Sequence, residues 1–137
     1  FSHYLSNIGL LLLIGWPMED RLSNKAFLGF ILLAAYLPMY LQIVYSVATT
    51  GSAGTLGFSG AVYAFAPALL GIVLQEVRTT ESGLGTFGLV ALGVTAAIPL
   101  AMLGYLDLVS GLPSAKVTHS VGYMIGIMYG VERLRLD

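Results

Sequence analysis

The chain has 137 residues and a net charge of −1; 57% of its residues are hydrophobic and 9% are charged. Soluble domains carry roughly 25% charged residues, so a water-solvated surface is difficult to build from this composition. The charge excludes the basic surface of a nucleic-acid-binding protein, and the lack of cysteine excludes disulfides, thiolate nucleophiles and cysteine-ligated zinc. We therefore expect one all-α, polytopic membrane domain over residues 1–137, with the lipid bilayer as its solvent and without nucleic acid, metal or cofactor.

Five apolar runs predict five helices, and several of them reach or approach the ~20 residues that cross a hydrocarbon core. The predicted helices cover residues 2–16, 25–48, 59–75, 84–106 and 115–132. The connections between them are a charged patch at 17–21, a glycine-rich loop at 49–55 and polar segments at 76–82 and 107–114. Pro38, Pro67 and Pro99 fall inside predicted helices, which membranes tolerate because neighbouring helices can satisfy the freed carbonyl groups.

The basic residues predict an orientation. Five of the six lie in the connections, at the helix start or in the C-terminal tail on one side of the membrane, and Lys116 alone lies on the other side. By the positive-inside rule the richer side is cytoplasmic. The first, third and fifth helices then begin at the outer side, so His3, Ser59 and His119 share one depth near the outer surface.

Ser59 is the candidate nucleophile. Gly57 and Gly60 flank it, so the backbone can turn tightly and other helices can come close. At a helix N-terminus the free N–H groups and the macrodipole favour a developing negative charge, as an oxyanion intermediate requires. A serine at this position is also typical of a helix N-cap or of a small packing residue in a membrane helix.

His119 is the candidate general base. Gly122 and Gly126 follow it on one helix face, which gives a smooth surface on which the third helix can lie. If that helix uses this face, the neutral imidazole can accept the Ser59 proton and return it to a leaving amine. Ionisable groups inside membranes are functional candidates; the alternative is a hydrated histidine at the membrane interface.

His3 and Asn7 form an i, i+4 pair whose side chains can donate hydrogen bonds to an oxyanion. The alternative for this pair is two polar side chains at the interface. Tyr63 lies one turn after Ser59, where it can stack on a histidine ring or pack in the core.

A carboxylate that could complete a triad is not evident. Asp20 and Asp137 lie on the predicted cytoplasmic side, and Asp107 is better suited to capping the loop before the fifth helix. The sequence therefore favours a dyad over a triad.

Together these residues resemble the rhomboid intramembrane serine proteases over essentially the whole chain. The family's HxxxN, GxSG, tyrosine and His-glycine motifs are matched, in that order, by His3 and Asn7; by Gly57, Phe58, Ser59 and Gly60; by Tyr63; and by His119, Gly122 and Gly126. Glu19 and Arg21 resemble the charged pair that often ends the family's second helix.

The resemblance implies a Ser59–His119 dyad, with an oxyanion hole formed by the Phe58 and Ser59 amides and by His3 and Asn7. It implies that Tyr63 orients His119. The substrates would be transmembrane segments of other membrane proteins, cleaved near the outer face. The short loops favour a prokaryotic cell membrane, with the site opening to the extracytoplasmic side.

Two departures from the family pattern are expected to matter. The chain is interpreted as beginning at the second of six core helices, without the first helix and the outer loop that follows it. Thr118 precedes the histidine, where the family usually has alanine.

Two other functions remain open. One is a catalytically silent rhomboid-like binder of transmembrane clients. The other is a small transporter or channel subunit that uses His3 and His119 for protons or metal, although the chain has neither repeated halves nor a mid-membrane carboxylate.

Overall fold

The computed structural model describes residues 2–53, 58–79, 85–110 and 116–135. These residues form five helices and, within the ranges given, no strand. The helices are α1 (Ser2–Glu19), α2 (Asn24–Thr50), α3 (Ser59–Thr79), α4 (Gly85–Ser110) and α5 (Lys116–Arg135). The expected all-helical fold with five helices is therefore confirmed.

All five helices extend further toward the C-terminus than their apolar runs predicted. α1 continues to Glu19 instead of residue 16, α2 to Thr50 instead of 48, and α3 to Thr79 instead of 75; α4 reaches Ser110 instead of 106, and α5 reaches Arg135 instead of 132. The predicted connections at 17–21, 49–55, 76–82 and 107–114 are correspondingly shorter. Their residues 54–55, 80–82 and 111–114 lie outside the described part of the chain.

Hydroxyl groups explain the extension of α2 and α3. Thr49 Oγ1 donates to the Tyr45 carbonyl at 2.8 Å, and Thr79 Oγ1 donates to the Gln75 carbonyl at 3.2 Å. Each polar side chain thus satisfies its hydrogen bond within its own helix instead of requiring a loop. α2 ends at Gly51, whose left-handed conformation (φ 72°) allows its N–H to donate to the Val47 carbonyl.

Two of the described helices, Asn24–Thr50 and Ser59–Thr79, are long and apolar enough to cross a membrane by length and composition. The two differ in their surroundings. α2 exposes most of its surface, whereas α3 is buried without interruption from Ser59 to Leu69. A helix that is buried on all sides lies at the centre of its bundle. α3 accordingly contacts each of the other four helices.

α1, α3 and α5 run in the same direction. A Cβ atom added at Gly122 of α5 would meet the Gly60 carbonyl of α3, and one added at Gly130 would lie 3.2 Å from the Cα of Gly71. Because residues later in α3 contact residues later in α5, the two helices are parallel.

The direction of α1 follows from two contacts with α3. Gly15 of α1 lies against the Phe65 ring, and Arg21, just beyond α1, donates from Nε to Glu76 Oε1 at 2.8 Å. This ion pair is partly buried and ties the end of α1 to the end of α3.

α2 runs in the opposite direction. Phe30, near its beginning, packs against Phe65 and Tyr129, whereas Pro38, further along, lies against Gly60 at the beginning of α3. The second half of α2 is therefore beside the first turns of α3 and α5. This end of the bundle carries both candidate catalytic residues.

Candidate active site

Ser59 and His119 are in hydrogen-bond contact. The distance from Ser59 Oγ to His119 Nε2 is 3.0 Å. Ser59 is the first residue of α3 and is 5% exposed, and His119 lies in the first turn of α5. With its ring proton on Nδ1, a neutral imidazole accepts the serine proton at Nε2. The pair thus has the geometry of a nucleophile and its base.

The beginning of α3 favours negative charge at Ser59. The first N–H groups of a helix have no carbonyl partner in a preceding turn, and the helix dipole has its positive end there. Phe58, which directly precedes the helix, is partly exposed, and its carbonyl accepts a hydrogen bond from the Ala61 N–H. An oxyanion formed beside Ser59 would therefore lie next to backbone donors.

Glycine allows α3 and α5 to approach closely enough for this contact. A Cβ at Gly126 would meet the Ala64 carbonyl, and a Cβ at Gly60 would lie 2.6 Å from the Thr118 methyl group and 2.9 Å from Pro38 Cβ. At Gly122 the obstacle is the Gly60 carbonyl. Because serine has a short side chain, it reaches an imidazole on a neighbouring helix only when the backbones nearly touch.

Tyr63 packs against one face of the histidine ring. The Tyr63 and His119 rings are stacked, with centroids 4.0 Å apart and planes 7° from parallel. The edge of Tyr123 packs on Tyr63 with a centroid distance of 4.7 Å. This packing restricts rotation of the imidazole about its side-chain bonds and keeps one edge toward Ser59.

Gln42 and Ser46 lie beside this region but were not among the site residues predicted from the sequence. Gln42 Oε1 accepts hydrogen bonds from Thr118 N at 3.3 Å and from Thr118 Oγ1 at 3.4 Å, and Gln42 Nε2 donates to Ser46 Oγ at 3.0 Å. A signal was present in the sequence: Gln42 and Ser46 are polar residues one turn apart in an apolar run. Buried polar groups require partners, so such a pair predicts a contact with another helix.

The other candidates are placed less completely. Asn7 is buried on α1. His3 lies in α1, but its side chain is outside the described part of the structure, as are Gly57, Asp137 and the side chain of Asp107. Asp20 follows α1 near the Arg21–Glu76 ion pair, at the opposite end of the bundle from Ser59.

The comparisons with known proteins give one match. A family model described as "Rhomboid domain" matches residues 1–135. No curated protein and no solved structure matches the chain. The matched region includes all five helices and both residues of the Ser59–His119 pair. The chain belongs to the rhomboid family.

Proposed function

We propose that the protein is a serine-type intramembrane endopeptidase in which Ser59 is the nucleophile and His119 is the general base. The observation that carries this proposal is the 3.0 Å contact between Ser59 Oγ and His119 Nε2 at the beginning of a buried, apolar helix. Membership of the rhomboid family supports it, because that family generally contains serine intramembrane proteases.

In the acylation step, Ser59 Oγ attacks the scissile carbonyl carbon while His119 Nε2 takes the hydroxyl proton. The negative charge that develops on the carbonyl oxygen is stabilised by the Phe58 and Ser59 amides, with the Asn7 and His3 side chains as further donors. When the tetrahedral intermediate collapses, the C–N bond breaks and His119 gives its proton to the leaving amine. The product is an acyl ester on Ser59.

In the deacylation step, water attacks the ester carbonyl and His119 again accepts a proton. Collapse of the second intermediate releases a carboxylic acid and returns the proton to Ser59 Oγ. This step requires water at the beginning of α3 and α5, so the site must open toward the nearer membrane surface. No step requires a metal or a cofactor.

The proposed substrates are transmembrane segments of other membrane proteins. Such a segment must unwind before it is cleaved, because an intact helix engages its carbonyl groups in i→i−4 hydrogen bonds. Unwinding is easiest near the membrane surface, where water can satisfy the released groups. We infer a multi-pass protein of a prokaryotic cell membrane that cuts its substrates near the outer face.

Labelling with a fluorophosphonate probe tests the proposal in detergent or liposomes, because an activated serine displaces fluoride from this reagent and becomes phosphonylated, whereas an ordinary serine reacts little. We expect Ser59→Ala and His119→Ala each to abolish labelling while the protein stays folded. Ser120→Ala is the matched control, since this exposed serine is next to the histidine and should be dispensable.

Substantial labelling of either Ser59→Ala or His119→Ala would rule out the dyad. Absence of labelling in the folded wild-type protein would instead favour a rhomboid-like protein that binds transmembrane clients without cutting them. Cleavage of a transmembrane peptide, assayed with the same variants, extends the test from the nucleophile to the complete reaction.

A further inference from the structure

A buried polar contact joins α2 to the first turn of α5. Gln42 and Thr118 are each 2% exposed, and Ser46 is also buried. The Gln42 side-chain oxygen accepts from both the backbone N–H and the hydroxyl of Thr118, while its amide nitrogen donates to Ser46. Both ends of the glutamine amide are therefore engaged, which fixes the orientation of the side chain.

This contact acts as a helix cap supplied by another helix. Thr118 lies in the first turn of α5, where backbone N–H groups have no acceptor within the helix. In an apolar environment an unpaired N–H is costly, so the Gln42 oxygen favours one position of the α5 backbone over others. A shift of α5 along its axis would break this hydrogen bond.

Thr118 also contacts α3, so a movement of α5 changes its packing against α3. Its methyl group lies 2.6 Å from the position that a Cβ of Gly60 would take, and Gly60 directly follows Ser59. The same threonine therefore contacts α2 through its polar atoms and α3 through its methyl group. His119, the next residue, places Nε2 3.0 Å from Ser59 Oγ.

We propose that Gln42 is a positioning residue, whose side-chain oxygen holds the first turn of α5 at the height where the His119 imidazole meets the Ser59 hydroxyl. The inference rests on the proposed function in taking His119 as the base of the reaction. In this inference Gln42 acts through Thr118 and takes no part in the chemical steps.

The test compares Gln42→Met with Gln42→Glu in the full chain. Methionine has a similar length but lacks a strong acceptor, whereas glutamate keeps a side-chain oxygen. Gln75→Met is the matched control, because Gln75 is the chain's other glutamine and lies toward the far end of α3. Three properties are measured: the fluorophosphonate labelling rate, the imidazole ¹⁵N resonances and the unfolding temperature.

The NMR measurement is simple because the chain has two histidines. The His119 signals are those missing from the spectrum of His119→Ala. We expect Gln42→Met to shift these signals and to lower the labelling rate by up to about 100-fold, the loss that a misplacement of about 1 Å can cause. Gln42→Glu should recover most of the rate, and Gln75→Met should change neither property.

Wild-type labelling and unshifted His119 signals in a folded Gln42→Met protein would overturn the inference and leave the proposed function intact. If the wild-type protein is not labelled, the proposed function fails, but the His119 signals still decide whether Gln42 positions the ring. Should Gln42→Met not fold, Gln42→Asn replaces it, because asparagine keeps the amide group but is one methylene shorter, which withdraws its oxygen from Thr118. An unchanged rate and spectrum in that variant would equally overturn the inference.

Discussion

At the residue scale, Tyr63 and Gln42 constrain different degrees of freedom of His119. Tyr63 stacks on the ring and limits its rotation, whereas Gln42 bonds to the preceding residue and limits movement of the backbone. Ser59 needs less support because it begins a helix that is buried on all sides. The distance and orientation of the His119 ring relative to Ser59 Oγ therefore depend mainly on the residues around the histidine.

Replacing Tyr63 should separate the effect of the stacked ring from that of the rest of the site. An aromatic pair contributes about 0.5–1.5 kcal/mol beyond its buried area, and about 1.4 kcal/mol corresponds to tenfold in rate. We expect Tyr63→Leu to lower the fluorophosphonate labelling rate by up to about tenfold, and Tyr63→Phe to retain most of it.

Tyr129→Leu is the control for this comparison. It removes an aromatic ring from α5 that packs on Phe30, away from the dyad, so it should affect stability more than labelling. Equal labelling rates for Tyr63→Leu and the wild-type protein would show that stacking does not help to orient His119.

At the element scale, the contact between α3 and α5 depends on glycines that cannot be replaced by a larger residue without moving the helices apart. The atoms that a new Cβ would meet at Gly122 and Gly126 are mainly backbone carbonyl atoms, which cannot rotate away as a side chain does. The helices would have to separate, and Ser59 would then move away from His119. Helix packing and the proposed catalysis are thus linked through the interface between α3 and α5.

We expect Gly126→Ala to lower the free energy of unfolding by about 1–3 kcal/mol, the usual cost of overpacking, and to reduce labelling in the fraction that stays folded. Gly29→Ala is the matched control, since a Cβ at Gly29 would have no neighbour within 4 Å. There the change should be neutral or stabilising by about 0.5–1 kcal/mol, because alanine favours helix more than glycine does.

Both variants can be compared by thermal or denaturant unfolding in the same detergent. Equal effects of the two substitutions would contradict the close backbone contact between α3 and α5. A loss of labelling without any loss of stability in Gly126→Ala would indicate that the interface positions the dyad more than it supports the fold.

At the scale of the whole molecule, the two ends of the bundle differ in chemistry. The beginnings of α3 and α5 carry Ser59 and His119, whereas the opposite end carries the Arg21–Glu76 ion pair. Arg78, Arg133 and Arg135 lie in the last turns of α3 and α5, at that same opposite end. The positive-inside rule therefore predicts that this end faces the cytoplasm and that the proposed dyad faces outward.

Single cysteines test this orientation directly, because the chain has none of its own. Asn24 begins α2 and Ser52 lies just beyond its other end, and both residues are exposed. We expect a membrane-impermeant maleimide to label Ser52→Cys in intact cells and to label Asn24→Cys only after the membrane is opened. The reverse pattern would place the dyad on the cytoplasmic side.

Much of the helical architecture could be predicted from the sequence because it depends on local composition. Apolar runs predicted five helices, and the order of the motifs indicated the family. The helix ends were predicted less well, since hydroxyl groups such as that of Thr49 continue a helix by bonding to its own carbonyls. The structure brings Ser59, His119 and Tyr63 together, but the roles of all the predicted site residues stay predictions.

By itself, the sequence determined the helices, their expected direction and the choice of Ser59 and His119, because each depends on neighbouring residues or on simple charge counts. Only the tertiary structure decided that Ser59 Oγ lies 3.0 Å from His119 Nε2, that Gln42 bonds to Thr118 and that Arg21 pairs with Glu76. These contacts join residues 60, 76 and 55 positions apart in the chain. They depend on how each helix is rotated and shifted against the next, and the glycine contacts between α3 and α5 set that packing in three dimensions.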